Sequence, residues 1–401
     1  MKVTRFKIVR KFLQWNNNDL FKVTKDSLYK VRAILNFMNA SMGRFVDAGN
    51  SLALDETTCP LRSSFAKSMI YFDKSKPKGK FHLKFYTLCE NSYGNALVVR
   101  MCHRKYNYKS KPSSEDENEG NKIEKVQVKA APGVNARLIP DMCKHYSGTG
   151  RVVNMDRAYS SPKVLIKLLD NGIYARGTVM TSSQFLPSFV KFKKGTTYKR
   201  GTMKYAINKK YNMSMYAWND KNPVHVVSTA DATATNIVNR KQKDTYVEVP
   251  CPASIRKYNE EMGGVDRFNQ LMSLFSLGKL LTFDRYYKKV AMVLMDFVLI
   301  NAFLHWKVAN KDKLSDIKRI TFMETLIDQM INENIPNLMR RHEKQERQSA
   351  NESKYNTDIE DDDDDASLVK EKYSNMINKL LSLGELHIPV IEEIEENTDS
   401  S

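Results

Sequence analysis

Cysteine is scarce: five residues in 401 (Cys59, Cys89, Cys102, Cys143 and Cys251), an odd and scattered set without a C-x-x-C pair. That count argues against a disulfide framework and against structural zinc, and it favours a reducing compartment. Cys102-His103 and Cys143-x-His145 lack a second paired half at finger spacing, so they read as buried thiols and ordinary histidines. No continuous apolar segment follows Met1, so no signal peptide is expected. The most apolar stretch, Val290 to Trp306, is interrupted by Asp296, Asn301 and His305, which favours a buried helix over a membrane span. No internal repeat at a period of 20–50 residues is visible.

Acidic residues are in deficit over most of the chain. Sixty-four Lys and Arg against 46 Asp and Glu give +18, yet residues 352–401 hold fifteen acids and four bases, so that tail is −11 and residues 1–351 carry +29. A surplus of that size points to a polyanionic partner, nucleic acid before a membrane surface, because a membrane usually demands an amphipathic anchor as well.

At 41% hydrophobic and 10% aromatic the chain is long enough for two or three packed units. Residues 1–50 show apolar residues at helical spacing (Phe6, Val9, Phe12, Leu13, then Leu28, Val31, Leu35, Phe37, Met38), and read as two or three short helices. Residues 51–172 contain strand-like runs, the clearest being Phe81 to Glu90, followed by the turn Asn91-Ser92-Tyr93-Gly94-Asn95 and a second strand from Ala96. A Ser-, Lys- and Glu-rich stretch, 109–121, reads as a solvated loop. Arg151 to Met155 is a further strand ending on Asp156, with an amphipathic helix from Pro162 to the Gly172 stop. Residues 173–250 hold many short strand-like pieces. Residues 251–340 are helical, with Tyr258 to Trp306 read as two helices broken near Gly278. A charged linker and acidic tail, 341–401, complete the chain.

Three acids, Glu90, Asp156 and Asp266, each fall at a strand end or a helix start. Phosphodiester chemistry needs hard cations that stabilise the attacking and leaving oxygens, and Mg²⁺ prefers a few carboxylates plus water and substrate phosphate. Taken alone, acids at strand ends are usually just solvated.

Six blocks add to this pattern: Leu54-Asp55-Glu56; Lys76-Pro77-Lys78 with the strand to Cys89-Glu90; Val153 to Ser161; Gly172 to Val179; Val226-Val227-Ser228-Thr229; and Tyr258-Asn259-Glu260-Glu261-Met262-Gly263-Gly264-Val265-Asp266 with its downstream helix, Tyr287 to Ala302. In order and spacing they resemble the piggyBac transposase family over roughly residues 4 to 330. The resemblance implies an α/β fold: an RNase H-like (DDE transposase) core with an N-terminal helical unit and a β-rich insertion at 173–250. It implies DNA cleavage and strand transfer with Mg²⁺ held by three aspartates, and a fourth carboxylate three residues after the last. Carried over by position, the catalytic set is Glu90, Asp156, Asp266 and Asn269, with Glu90, Asp156 and Asp266 as metal ligands.

Two members of that set depart from the family, Glu90 by one methylene and Asn269 by loss of charge. Tyr286 stands where the family usually has a tryptophan, after Phe283-Asp284-Arg285. The chain begins inside the family's N-terminal helical region and shows no counterpart to its cysteine-rich C-terminal zinc module. These departures lead to the expectation of a transposase-derived nuclear protein, truncated at both ends, with weakened catalysis. The alternative is a domesticated DNA-binding protein that keeps the fold. Both readings leave room for a homodimer.

Residues 191–210 contain eight bases and no acid, interleaved with Phe192, Tyr198 and Tyr205. Bases neutralise phosphates and aromatics offer stacking faces, so Lys193, Lys194, Lys199, Arg200, Lys204, Lys209 and Lys210, with Tyr286, are the expected DNA contacts. The bland reading is a basic loop that serves solubility. In the tail, Asp361 to Asp365 precede Leu368, Val369, Tyr373, Met376, Ile377, Leu380 and Leu381, spaced as an amphipathic helix seeking an apolar partner. Such a segment is suited to lie across the basic body and compete with DNA, or to serve a protein partner.

Overall fold

Apolar and β-branched runs make Ser51–Pro60 (β1) and Phe81–Glu90 (β3) strands covered on both faces: Leu52, Leu54 and Leu88 on one face and Leu83 and Phe85 on the other are fully buried. In the computed structural model the described residues are 3–15, 28–63, 66–67, 69–76, 79–102, 134–193, 196–242, 244–281, 283, 285–310 and 318–330. The loop expected at 109–121, Lys194 and the tail at 341–401 lie outside them. The chain divides into two units, Met1–Phe322 and Met323–Ser401, and almost everything described belongs to the first.

Two N-terminal helices, α1 (Val3–Phe12) and α2 (Tyr29–Met42), precede the sheet, and α2 buries Val31, Leu35, Met38 and Met42. Strands β2 (Ile70–Phe72) and β4 (Ala96–Met101) pair with the first and second parts of β3. Helix α3 (Val134–Cys143) leads to β5 (Val152–Met155), α4 (Pro162–Asp170) and β6 (Tyr174–Thr178). The local signals around α4 are complete: the Ser161 hydroxyl accepts from Val164 N–H, Pro162 opens the helix, and Gly172 follows at positive φ.

The sheet runs β2-β3-β1-β5-β6-β9-β8-β7, where β7 is Met203–Asn208, β8 Met213–Asn219 and β9 Pro223–Ser228. β1 is antiparallel to β3 but parallel to β5, and β5 is parallel to β6. Three antiparallel strands (β4, β3, β1) followed by two parallel ones form the RNase H-like core. β9, β8 and β7 extend this same sheet beyond β6, so much of 173–250 continues the core. The hairpin β10 (Thr235–Gln242) and β11 (Thr245–Pro252) is a separate two-stranded sheet.

The C-terminal part of the core departs from the two expected helices. Among the described residues from 253 to 309 there are four, α5 (Ala253–Glu261), α6 (Gly264–Leu274), α7 (Leu277–Leu280) and α8 (Tyr286–Ala309), and residues 319–330 are helical as well. The pair Gly263-Gly264 ends one helix and starts the next, and Ser276 caps α7 through Lys279 N–H. Asp296 of α8 fixes that second break, accepting from Ser276 Oγ at 2.7 Å, Leu277 N at 2.8 Å and Gly278 N at 3.0 Å. α8 is long and apolar enough to cross a bilayer, but its Val290, Val293, Leu294, Phe297 and Ile300 are packed in the core.

Candidate active site

The parallel register places Leu54 opposite Met155, so the next residues along, Asp55 and Asp156, stand beside each other. Asp156 opens a tight turn in which its carbonyl accepts from the N–H groups of Tyr159 and Ser160. That turn lies flat against β6 at Gly177, where a Cβ would come within 2.5 Å of Ser160 Cβ. The carboxylate is oriented from β6 as well: Thr178 Oγ1 donates to Asp156 Oδ1 at 3.0 Å, and Thr178 shares a hydrogen bond with the Tyr258 hydroxyl. Burial pushes the Tyr258 phenol up to about 12, so it stays protonated at neutral pH.

Asp266 arrives on α6. Val265, Phe268 and Met272 of that helix are buried, which turns Asp266 and Asn269, one turn apart, onto the neighbouring face. Gly264 permits close approach, since a Cβ there would lie 3.0 Å from the Glu90 carbonyl and 3.2 Å from Ala53 Cβ. Asp55, Glu56, Asp156, Asp266 and Asn269 line one cleft of about 620 Å³, with Lys76, Arg157 and Lys279 on its walls.

The charges in this cleft are unequal. Asp55 is raised from 3.8 to about 6, first by burial and then by the carboxylates of Glu56, Asp266 and Asp156, against the Glu56 N–H that donates to it at 2.8 Å. Burial opposes ionisation of Glu56 too, but Lys84 and Lys76 hold it below the usual carboxylate range; Lys76 lies at 3.3 Å. Glu56 is thus a neutralised neighbour, whereas Asp55, Asp156 and Asp266 bring concentrated negative charge. Among the described residues no three His, Cys, Asp or Glu side chains are gathered tightly enough to chelate one ion as they stand. Three like-charged aspartates opening on a common cleft repel each other until a cation lies between them. Their hard oxygen donors suit a divalent ion that keeps several waters.

The position assigned to Glu90 requires correction. It pairs with Leu52, three residues before Asp55 on β1 and therefore about 10 Å away along the strand. Odd spacing also puts it on the opposite face. Its buried carboxylate closes its own turn, accepting from Ser92 N (2.6 Å), Tyr93 N and Gly94 N (2.8 Å each), Asn95 N (3.2 Å) and Asn95 Nδ2 (3.1 Å). The carboxylate that β1 sets beside Asp156 in the cleft is that of Asp55. Asn269 does line the cleft, and its Nδ2 donates to the Glu56 carbonyl at 3.0 Å.

A buried network that sequence reasoning missed supports the floor of the site. Arg176, 1% exposed, is bidentate to Asp231 (2.6 and 2.8 Å) and also donates to Asn154 Oδ1 and Glu261 Oε2. Ser51 donates to Glu261 as well, so β1, β5, β6, α5 and the segment after β9 are tied together. These partners are distant in sequence and follow no local motif.

The basic segment divides into two groups. Lys193, Lys199, Lys209 and Lys210 are exposed. Arg200 instead pairs with Asp220, which also receives Arg240. Lys204 donates to the Lys191 carbonyl at 3.1 Å and sits over the rings of Phe192 and Tyr198. Tyr286 begins α8, its ring edge-on to Tyr287, and does not line the acidic cleft. The five cysteines are free and buried.

An RNase H-like sheet with acids on β1, just past β5 and on a covering helix defines the class of fold. The family described as Transposase IS4 matches residues 1–303, and the chain belongs to that family. A cryo-EM structure of a piggyBac transposase synaptic complex with hairpin DNA has the same fold, with a TM-score of 0.64 at 16% identity. The match covers 81% of this chain and 62% of that one, so this chain spans less than two thirds of that transposase. No curated protein matches the sequence.

Proposed function

We propose that the chain cleaves and joins DNA strands at Asp55, Asp156 and Asp266, holding divalent metal, with Mg²⁺ the natural choice. The observation that carries this is the β1–β5 register, which sets Asp55 beside Asp156 in the cleft that Asp266 enters from α6. Metal ions there would activate the attacking oxygen and stabilise the leaving one. The chain's own residues do the positioning. Thr178 and Tyr258 fix the Asp156 carboxylate, and Lys84 and Lys76 remove Glu56 from competition for the cation. Arg157 and Lys279 offer positive charge to phosphates next to the acids, and exposed Lys193, Lys199, Lys209 and Lys210 supply a sequence-independent grip on the backbone.

With Asp55 as the first acid, the charged triad is complete, and Asn269 is the remaining departure from the four-carboxylate pattern. Its amide keeps one oxygen without charge, which weakens cation binding while leaving the three aspartates to work. The test is nicking of supercoiled plasmid in Mg²⁺ or Mn²⁺. Wild type should nick, Asp55→Asn, Asp156→Asn and Asp266→Asn should not, and Glu90→Gln should. Equal nicking by wild type and Asp55→Asn would overturn this reading. Salt-sensitive DNA binding without nicking by wild type would leave a DNA-binding protein on a transposase fold.

A further inference from the structure

A second cleft, about 890 Å³, opens beside the acidic one and shares Asp156, Arg157 and Met180 with it. Its other walls include Thr181, Ser182, Lys191, Phe192 and His225. His225 lies on β9, is 3% exposed, and its backbone carbonyl accepts from Val179 N at 2.9 Å. Its ring is different: Nε2 is buried with no hydrogen-bond partner among the described residues. An unpaired buried ring nitrogen is unfavourable, and in a cleft it marks the place where an entering group completes the bond. Burial, and then the charge of Lys191, hold this imidazole below its ordinary value, so it is neutral at pH 7. In a neutral imidazole one ring nitrogen donates and the other accepts, so Nε2 offers one uncharged donor or acceptor, which suits the edge of a heterocyclic base. Phe192 adds an aromatic ring, tilted against Tyr198 at 4.7 Å between centroids and with Lys204 Nζ 5.3 Å from its centroid, so a base would stack there by displacing the Lys204 ammonium. Lys191, held by the Ser183 carbonyl at 3.2 Å, adds the positive charge that a nucleotide backbone seeks.

We propose that this second cleft receives an unstacked nucleobase from the same DNA strand whose phosphodiester lies at the aspartates, with His225 Nε2 bonding the base edge and Phe192 providing a stacking surface. The proposal rests on the DNA-cleaving reading of the adjacent acids. Asp156 and Arg157 line both clefts, so a base turned out next to the reacting phosphate has the second cleft beside it. Extrusion costs least where the duplex is already interrupted.

The probe is a nicked duplex carrying 2-aminopurine at successive positions beside the nick, bound to the full chain in Ca²⁺. Binding should raise the fluorescence several-fold at one position and leave the others nearly unchanged. His225→Leu should abolish that rise. Ser182→Trp, which fills the cleft from an exposed position and spares the core, should abolish it too, so the result survives if His225→Leu fails to fold. 4-Thiothymidine at the same position should crosslink to residues 179–192 or 223–225. Absence of a rise at every position, or an equal rise in Ser182→Trp, would overturn the proposal. Failure of the cleavage reading has a separate signature, undiminished plasmid nicking by Asp266→Asn, and does not alter the fluorescence.

Discussion

Asp55 and Asp156 are neighbours across two parallel strands, one step beyond the Leu54–Met155 pair, although about a hundred residues separate them in the chain. In metal-free buffer the site is a burden: burial first, and then the carboxylates of Glu56, Asp266 and Asp156, hold Asp55 up at about 6 in the folded protein against 3.8 for the free side chain. A raised carboxylate contributes stability at low pH and loses it as pH climbs through that window. Asp55→Asn should therefore raise the melting temperature at pH 7 in EDTA, with the gain shrinking as pH falls below 6. Differential scanning calorimetry across pH 4–8 reads this directly, and a lowered melting temperature at pH 7 would contradict it.

Glu90 should behave as a structural residue. Replacing it with Gln removes a charge that four backbone N–H groups share, at a cost of about 2 kcal/mol in urea unfolding. Divalent-ion affinity, followed by calorimetric titration, should be unchanged in the folded variant. A variant of unaltered stability would mean the turn at 91–95 does not depend on it.

Arg176→Met removes the bidentate partner of Asp231, leaving it Ser228 and Lys257, and leaves Glu261 with fewer partners. Breaking one side of a buried ion pair costs about 3–5 kcal/mol, and guanidinium denaturation should show a loss in that range. Burial opposes ionisation of Asp231, but Arg176 holds it below the ordinary carboxylate value. In wild type, its share of stability is therefore present near neutrality and lost on acidification below pH 4, whereas Arg176→Met should have a flatter acid limb.

DNA affinity should fall steeply with salt. Alanine at Lys193, Lys199, Lys209 and Lys210 should make the log–log slope shallower by about 0.9 for each phosphate contact removed. Arg200→Ala should act differently, lowering stability through Asp220 more than it changes the slope. Fluorescence anisotropy over a salt series, with melting curves on the same samples, separates the two.

What could be read from the sequence was local. The strand into Asp156, the helix from Pro162 and the Gly172 stop all carry their signal within a few residues, and each appears in the structure. Asp55 was visible in the block Leu54-Asp55-Glu56, but it sits within a strand, where an acid looks like an ordinary outward-facing residue. Its meaning comes from pairing with β5, and Glu90, at a strand's end, fitted the expected pattern more easily. The helical region was under-divided because the second break depends on Asp296 bonding back to Ser276 and Gly278, a contact that spacing does not reveal. Arg176 and His225 likewise owe their roles to neighbours supplied by other strands.

Glu90 influences the aspartates by a different route. Its carbonyl and the Ala53 Cβ lie 3.0 and 3.2 Å from where a Cβ at Gly264 would stand, so the missing side chain is what lets the tip of α6 come this near to the paired strands. No rotamer change at that point can tune the spacing, because glycine has none. The gap that Asp266 must bridge is thus set like a mechanical tolerance, and the smallest adjustment available to substitution at 264 is a whole methyl group, which only opens it.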